Sequence, residues 1–139
     1  MAKYLFAGFA HSLYPIEKFQ SDSERRLAVI LEREKLKWFR PRKGQFQLFY
    51  KWGAEHREYQ PDFVAEGHDR IFMLEPKAAN DMQDEEVNAK KEVGIKWCKL
   101  ATEYAETTGE KPWEYALIPH DAIKDNMTIR GLVERYASR

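Results

Sequence analysis

Two short extended runs joined by a turn, within the stretch 59–77, constrain this chain more than any other part of the sequence. Both runs are rich in the apolar and aromatic residues typical of strands, and the Gly-His-Asp cluster between them is typical of a turn. A turn centred between His68 and Asp69 makes an antiparallel hairpin in which Asp62 lies directly opposite Glu75. The sequence therefore predicts a hairpin with two facing carboxylates.

Two facing carboxylates need positive charge close to them. Directly opposed side chains on antiparallel strands have Cβ atoms roughly 4.5–5.5 Å apart. Like charges about 4 Å apart repel by about 4 kcal/mol at an effective dielectric constant of about 20. Lys77 lies two residues after Glu75, on the same face of the strand, and supplies one positive charge. A divalent metal ion would supply the rest.

Pro76 interrupts the second run, because proline cannot donate a ladder hydrogen bond and is normally found at sheet edges or bulges. In the same register it faces Pro61. A four-residue turn over 67–70 places the two prolines at a pair without hydrogen bonds, whereas a two-residue turn places them at a hydrogen-bonded pair. We therefore expect the longer turn. We also expect the strands to separate at the prolines and open a cleft beside the carboxylates.

Length and composition favour one compact domain over residues 1–139, since such a length is within the usual range for one domain. The single cysteine, Cys98, excludes an internal disulfide and a cysteine cluster for zinc. Its place on the apolar face of a helix favours a buried, inert thiol. The start of the chain is a poor signal peptide, and no stretch is long and apolar enough to span a membrane. We expect a cytoplasmic protein without membrane contact.

Charge and histidine content leave the class of partner open. Lys plus Arg and Asp plus Glu number 23 each, so net charge argues neither for nor against a nucleic-acid partner. The histidines lack zinc spacing, and we interpret all of them as structural or exposed: His11, His56, His68 and His120.

Hydrophobic spacing predicts further elements around the hairpin. They are an irregular or short-strand lead-in over 1–20, a helix from Ser21, strands over 46–52 and 113–118, and helices over about 84–105 and from about Thr128. We expect an α/β fold with a central mixed sheet flanked by helices. In it, the strand 46–52 forms an antiparallel meander with the hairpin, and a parallel strand follows a right-handed crossover helix.

Glu24 allows two interpretations. It shares a helical stripe with Leu27 and Leu31, which puts it at the N-terminal end of the face that packs inward. It would then join the acidic site. Alternatively, Glu24 is only the reciprocal cap of a Ser-x-x-Glu capping box that begins at Ser21.

Two basic groups would suit contacts with a nucleic-acid backbone. The first is a loop rich in helix and strand breakers, which contains Arg40, Arg42 and Lys43. The second is the polar face of the long helix, with Lys90 and Lys91. A solvated loop and a solvated helix face explain the same residues.

The order of these features resembles a known family. Pro61-Asp62 followed by Glu75-Pro76-Lys77 resembles the signature of the PD-(D/E)xK nuclease superfamily. Most of the chain is similar to the C-terminal endonuclease domain of type III restriction enzymes. The stretches that carry this similarity are 19–25, 37–39, 59–63 and 113–115. The resemblance implies a restriction-endonuclease-like fold and a Mg²⁺-dependent DNA endonuclease that hydrolyses phosphodiester bonds in restriction-modification.

The resemblance also implies roles for the site residues. Asp62, Glu75 and the backbone carbonyl of Pro76 would bind Mg²⁺, for which Mn²⁺ would substitute, because hard cations prefer oxygen ligands. Lys77 would orient the attacking water and offset negative charge. Glu24 would contact the metal directly or through water. The catalytic residues would thus be Asp62, Glu75, Lys77 and Glu24.

The partners implied by the resemblance are double-stranded DNA, a helicase or translocase domain and a modification subunit. A domain that depends on such partners would cleave weakly or not at all by itself. Cutting both strands needs two active sites, which a homodimer or pairing with another complex would supply.

Two other interpretations remain open. In the first, Asp62, Glu75 and Lys77 form a surface charge cluster across the strands, worth under about 1 kcal/mol. In the second, the chain is a binding module that keeps this fold and holds DNA or a protein partner without cutting.

Overall fold

The computed structural model of the protein describes residues 4–7, 11, 16–19, 21–46 and 48–138. The strands in this part of the chain are β1 (Tyr4–Ala7), β2 (Ile16–Phe19), β3 (Lys37–Phe39), β4 (Leu48–Trp52), β5 (Glu55–Tyr59), β6 (Phe63–Glu66), β7 (Ile71–Lys77), β8 (Trp113–Pro119) and β9 (Ala137–Ser138). The helices are α1 (Asp22–Arg33), α2 (Glu85–Thr108) and α3 (Ile129–Tyr136), with 3₁₀ turns at Ala79–Asp81 and His120–Ala122.

A mixed sheet is the centre of the fold in the described part of the chain, with five strands in the order β3-β6-β7-β8-β9. Strands β7 and β8 are parallel and are connected through α2, whereas the other neighbouring strands are antiparallel. The predicted α/β class, with antiparallel strands and a parallel strand after a helix, is confirmed. Among the described residues, no helix combines the length and the apolar content needed to cross a membrane.

The predicted register of the β6–β7 hairpin is confirmed. Phe63 pairs with Leu74, and the same register brings Asp62 opposite Glu75. The pairing of the two strands ends at Phe63, so it stops before the two prolines, as expected.

The expected four-residue turn, in contrast, is wrong. The Gly67 N–H donates a 2.8 Å hydrogen bond to the Arg70 carbonyl, so these two residues close a two-residue turn. Hydrogen-bonded pairs alternate along the hairpin from this closing pair, and Pro61 and Pro76 therefore fall at a bonded position. Neither proline has an N–H, so both hydrogen bonds of that pair are missing. This loss explains why the strands separate there.

The partner of the aromatic strand β4 also differs from the expectation. The strand predicted over 46–52 forms as β4, but it pairs with β5 in a separate hairpin, and β3 lies beside β6 instead. Gly53, with a φ of 61°, allows β4 to turn back directly onto β5. The extended run before Asp62 is consequently broken, because Tyr59 ends β5 and Pro61 leads into the main sheet.

A short pair of strands involves each end of the described chain. Strands β1 and β2 form an antiparallel pair, so the short-strand alternative for the lead-in is the observed one. Helix α3 begins after Thr128, as predicted, and its cap is the Thr128 side chain, which accepts a 3.0 Å hydrogen bond from the Gly131 N–H. The helix is followed by β9, which the sequence did not predict and which pairs with β8.

Helix α1 begins where the capping box predicts. The Ser21 side chain accepts a 3.3 Å hydrogen bond from the Glu24 N–H and so caps the helix. Glu24, Leu27 and Leu31 are all buried, which confirms the inward-facing stripe.

Both faces of the main sheet are covered. Helices α1 and α3 pack on one face in an apolar cluster that includes Phe72 and Leu74 of β7. Helix α2 and the β4–β5 hairpin pack on the other face, around Met73 and Tyr115. Because side chains alternate along a strand, Glu75 shares the face of Met73 and lies toward α2 and β5.

Helix α2 lies directly against β8. Its N-terminal cap is Asp84, whose carboxylate accepts a 3.0 Å hydrogen bond from the Val87 N–H, and Gly109 follows its last residue with a φ of 74°. A Cβ atom at Gly94 would lie 2.5 Å from Cε2 of Tyr115. Glycine at this position therefore permits the close approach of the helix to the strand.

We expect Gly94→Ala to destabilise the protein. Helix propensity alone would make this change stabilising by about 1 kcal/mol. The added Cβ would overlap the Tyr115 ring, however, and overpacking of a core costs about 1–3 kcal/mol. Urea denaturation of the variant and the wild type measures the difference in free energy of unfolding. A variant more stable than the wild type would contradict the close contact.

Candidate active site

The two acids of the hairpin meet where β6 and β7 separate. Asp62 precedes β6, and Glu75 lies near the C-terminal end of β7. Beyond the last paired residues, the Asp62 N–H donates a 3.0 Å hydrogen bond to Oε2 of Glu75. The Glu75 side chain therefore replaces a backbone ladder hydrogen bond at the point where the strands separate.

Glu75 is buried, with 5% of its surface exposed. Tyr59 Oη donates a 3.1 Å hydrogen bond to Oε2, and Lys77 Nζ lies 3.9 Å from Oε1. Burial, and next the charge of Asp62, raise the pKa of Glu75 well above its usual range. The positive charge of Lys77 opposes this increase.

Arg40 joins Asp62 to Glu24. Its Nη2 lies 3.1 Å from Oε1 of Glu24 and 3.5 Å from Oδ1 of Asp62, and its Nε donates to the Asp62 carbonyl. The guanidinium lies over the ring of Phe63, 4.6 Å from the ring centroid. Arg40 as a whole residue is 9% exposed, so its interpretation as part of a solvated loop is wrong.

Asp62 also has an unusually high pKa. Burial, and next the charge of Glu24, raise the pKa of Asp62 from 3.8 to about 6. Arg40 and Lys77 lower this pKa but do not compensate for the increase. A carboxyl group whose pKa is raised by burial and by a neighbouring negative charge is typical of a functional site.

Among the described residues of the site, the carboxylates of Glu24, Asp62 and Glu75 outnumber the cations Arg40 and Lys77 by one. The excess negative charge and the oxygen ligands suit a hard divalent cation. Nevertheless, no group of three or more His, Cys, Asp or Glu side chains in the described part of the chain is arranged to hold a metal ion. Arg40 lies between Glu24 and Asp62, 3.1 Å from one carboxylate and 3.5 Å from the other.

Strand alternation turns the backbone carbonyl of Pro76 toward the β6 side of the sheet. Residues along β7 alternate between bonding to β6 and bonding to β8, and Leu74 is at a position that bonds to Phe63 of β6. Pro76, two residues later, turns its carbonyl to the same side. Because the pairing with β6 ends at Phe63, this carbonyl has no ladder partner in β6 and lies on the side of Asp62.

His120 lies at the same end of the sheet. Lys77 pairs with Pro119 in the parallel register, and His120 follows in a 3₁₀ turn, where it is half-buried. Burial lowers the pKa of His120, whereas the charge of Glu24 raises it, so the imidazole is within electrostatic reach of that acid. Only the pairing of β7 with β8 brings it there, since no spacing in the sequence relates His120 to Glu24.

The basic residues expected to contact DNA differ in their exposure. Arg42 and Lys43 are exposed on the loop that follows Arg40, so they can contact a ligand from solvent close to the site. Lys90 and Lys91 are half-buried on α2, and Lys90 Nζ lies 5.7 Å from the centroid of a tyrosine ring in β4.

The expectations for the cysteine and the other histidines agree with the structure. Cys98 is buried, and burial raises the pKa of its thiol to about 12, which is the inert state expected. His56 and His68 are exposed, and His11 is half-buried.

Two buried tyrosines next to the site are not among the residues that the sequence identified as functional. Tyr59 Oη, which donates to Glu75, lies 3.1 Å from Tyr115 Oη. Both tyrosines belong to stretches that carry the family resemblance, which is the signal in the sequence that could have identified them.

The chain matches no protein-family model, and neither a curated protein nor a solved structure matches it significantly. An assignment of function therefore depends on the site itself.

We expect Asp62→Asn to stabilise the metal-free protein at pH 7. An acid whose pKa is raised on folding binds its proton more tightly in the folded state, so stability falls as the pH rises from the unfolded pKa to the folded one. For Asp62 this pH range is from 3.8 to about 6. An uncharged Asn does not ionise, so the variant avoids this loss of stability. One pKa unit corresponds to about 1.4 kcal/mol, so we expect a gain of about 1–3 kcal/mol.

Urea denaturation in EDTA, at several pH values between about 4 and 8, measures this gain. The matched control is Asp69→Asn at the exposed tip of the hairpin, where an ion pair with Arg70 lowers the pKa and no gain is expected. An Asp62→Asn variant with the stability and the pH dependence of the wild type would contradict the prediction.

We expect Arg40→Met to destabilise the protein at pH 7, and Glu24→Gln to restore part of the loss. Removing one partner of a buried ion pair costs about 3–5 kcal/mol, because it leaves an uncompensated charge. Arg40→Met leaves Glu24 and Asp62 close together without their shared cation. Denaturation of the single and double variants measures both effects. A cost below about 1 kcal/mol, or no recovery in the double variant, would show that the Arg40 bridge is unimportant.

Proposed function

We propose that the protein is a Mg²⁺-dependent DNA endonuclease domain with a restriction-endonuclease-like fold, similar to the cleavage module of a type III restriction enzyme. The observation that carries the proposal is the convergence of Asp62, Glu75 and Lys77 at one point of the sheet. The Glu75 carboxylate accepts a hydrogen bond from the Asp62 N–H and lies 3.9 Å from Lys77 Nζ. Adjacent acids and a lysine suit phosphodiester hydrolysis, in which water loses a proton and negative charge grows on the phosphate.

The carboxylate and carbonyl oxygens of the site are donors of the kind that a hard divalent cation prefers. Mg²⁺ would be held by Asp62, Glu75 and the carbonyl of Pro76, with Glu24 contributing directly or through water, and Mn²⁺ would substitute. When bound, the ion would lower the pKa of a water molecule and stabilise negative charge on the phosphate. The surplus of one carboxylate over the nearby cations supports this proposal, because a bound cation would offset the burial and the like charge that raise the pKa values of Asp62 and Glu75.

The side chains around the acids have separate roles in the proposed reaction. Lys77, whose side chain is 28% exposed, is accessible from solvent and would orient the attacking water and offset negative charge. Glu24 would hold Arg40 beside Asp62, since Arg40 Nη2 lies 3.1 Å from Glu24 and 3.5 Å from Asp62. Arg40 would thereby limit the repulsion between the acids before the ion binds.

Double-stranded DNA is the proposed substrate. The exposed residues Arg42 and Lys43 would contact phosphates close to the site, and Lys90 and Lys91 would extend the contact along α2. Recognition by phosphate contacts of this kind carries no sequence information directly.

A helicase or translocase domain and a modification subunit are the proposed partners, in cytoplasmic restriction-modification. A module of this kind would cleave weakly by itself, because translocation and recognition belong to the partners. A homodimer is one arrangement that would bring two sites to the two DNA strands.

A second candidate function is a binding module that holds DNA or a protein partner without cutting. The observation that favours it is the double ion pair of Arg40 with Glu24 and Asp62, which occupies both carboxylates with a cation from the protein itself. In this alternative Arg40 keeps its position permanently, and the acids stabilise a binding surface.

We expect the wild type to nick supercoiled plasmid DNA in Mg²⁺ or Mn²⁺, and Asp62→Ala and Lys77→Ala to reduce the nicking rate by about a hundredfold or more. These side chains would act on the reacting groups, and positioned acid–base groups contribute about 10²–10⁴-fold in rate. The measurement is the initial rate of open-circle formation at high protein concentration. The matched controls are Asp69→Ala and Lys111→Ala, at the opposite end of the hairpin, which should retain the wild-type rate.

The outcomes separate the two functions. Metal-dependent nicking that is lost in the site variants and kept in the controls supports the endonuclease. Binding of Mn²⁺ without nicking at any protein concentration supports the binding module. Anomalous density from Mn²⁺ in crystals tests the ligands directly, and the absence of a peak between Asp62 and Glu75 would contradict the metal site.

A further inference from the structure

Two tyrosine hydroxyls lie beneath the acids of the site. Tyr59 ends β5 and is 2% exposed, and Tyr115 lies in β8 and is 1% exposed. Tyr59 Oη is 3.1 Å from Oε2 of Glu75 and 3.1 Å from Oη of Tyr115. Three strands, β5, β7 and β8, thus contribute one group each to a buried row of hydrogen bonds.

The chemistry of these groups gives the row a direction. Tyr59 Oη donates to Oε2 of Glu75, and each tyrosine hydroxyl has only one proton to donate. Tyr59 therefore donates its proton to Glu75 and accepts the proton of Tyr115. The row runs from Tyr115 through Tyr59 to the carboxylate.

The two oxygens of Glu75 have different surroundings. Oε2 accepts from both the Tyr59 hydroxyl and the Asp62 N–H, at 3.1 and 3.0 Å. Oε1 is the oxygen that lies 3.9 Å from Lys77 Nζ. The protein thus holds one oxygen with two donors, and this leaves the other oxygen beside Lys77.

Burial makes this arrangement costly to replace. Loss of the Tyr59 hydroxyl would leave Oε2 of the buried Glu75 with the Asp62 N–H as its donor, and a buried acceptor that loses a donor is destabilised. Tyr115 is in turn held by α2, because Gly94 allows the helix to contact the Tyr115 ring. The position of the Tyr59 hydroxyl therefore depends on two elements outside the hairpin that carries the acids.

We propose that Tyr59 is a positioning residue for Glu75, and that it acts by engaging Oε2 so that Oε1 stays beside Lys77 and available to the cation that Glu75 would hold. The proposal rests on the proposed function, since it names the carboxylate oxygen that would bind the ion. Tyr115 supports Tyr59 and has a smaller effect of the same sign.

The test compares Tyr59→Phe with Tyr115→Phe and with Tyr50→Phe. Tyr50 is the matched control, because it is also a buried tyrosine of the β4–β5 hairpin, and its hydroxyl bonds to Glu86 at 2.8 Å instead of to the site. Mn²⁺ affinity is measured without DNA by titration calorimetry, kcat and KM are measured in the nicking assay, and thermal unfolding is measured for each variant.

We expect Tyr59→Phe to weaken Mn²⁺ binding by about 10-fold to 100-fold, as is typical when a group that orients a metal ligand is removed. It should also lower kcat while leaving KM for DNA unchanged. Tyr115→Phe should weaken Mn²⁺ binding less, and Tyr50→Phe should leave both Mn²⁺ affinity and kcat at the wild-type values.

A Tyr59→Phe variant that binds Mn²⁺ as tightly as the wild type would overturn the positioning role, whatever its stability. Equal losses of Mn²⁺ affinity in Tyr59→Phe and Tyr50→Phe would also overturn it, because they would indicate a general effect on folding. A wild type that binds Mn²⁺ but does not nick DNA contradicts the endonuclease alone, and the affinities still decide the role of Tyr59. A wild type that does not bind Mn²⁺ overturns both proposals.

Discussion

Two facing prolines, Pro61 and Pro76, decide where β6 and β7 separate and therefore where the candidate site lies. They fall at a hydrogen-bonded position of the hairpin, and neither has an N–H to donate. Backbone pairing ends there, and the Glu75 carboxylate accepts the Asp62 N–H instead. The missing ladder bonds thus leave both acids side by side where the strands separate, with the Pro76 carbonyl on the same side. The arrangement of the site therefore follows from the end of β6–β7 pairing at the two prolines.

The numbers of carboxylates and cations at the candidate site link the stability of the protein to its proposed function. Arg40 contacts the carboxylates of Glu24 and Asp62, and Lys77 lies near that of Glu75. The pKa values of Asp62 and Glu75 are nevertheless raised, so the folded protein keeps these acids in a setting that opposes their ionisation. Stability is commonly reduced in this way at functional sites. The two candidate functions differ in what neutralises the acids of the site. A bound metal ion would support hydrolysis, whereas a permanent Arg40 bridge would support binding.

Much of the hairpin and of its acidic pair could be predicted from the sequence, because strand periodicity and turn position are local properties. The start of α1 was predictable for the same reason, since the Ser21 hydroxyl caps an N–H only three residues away. The length of the turn was not predictable from the register, because a two-residue and a four-residue turn bring the same residues opposite each other. Only the hydrogen bond from the Gly67 N–H to the Arg70 carbonyl distinguishes them.

The sequence by itself determined that Asp62, Glu75 and Lys77 lie at one end of a hairpin, because alternation along a strand does not depend on the rest of the chain. Only the tertiary structure decided that β3, and not the more aromatic β4, lies beside β6. Both segments can form strands, so their partners depend on packing against the helices. Arg40 and Tyr115 likewise reach the site from β-sheet neighbours far from the acids in sequence. Their roles arise from long-range contacts, which no local pattern of residues encodes.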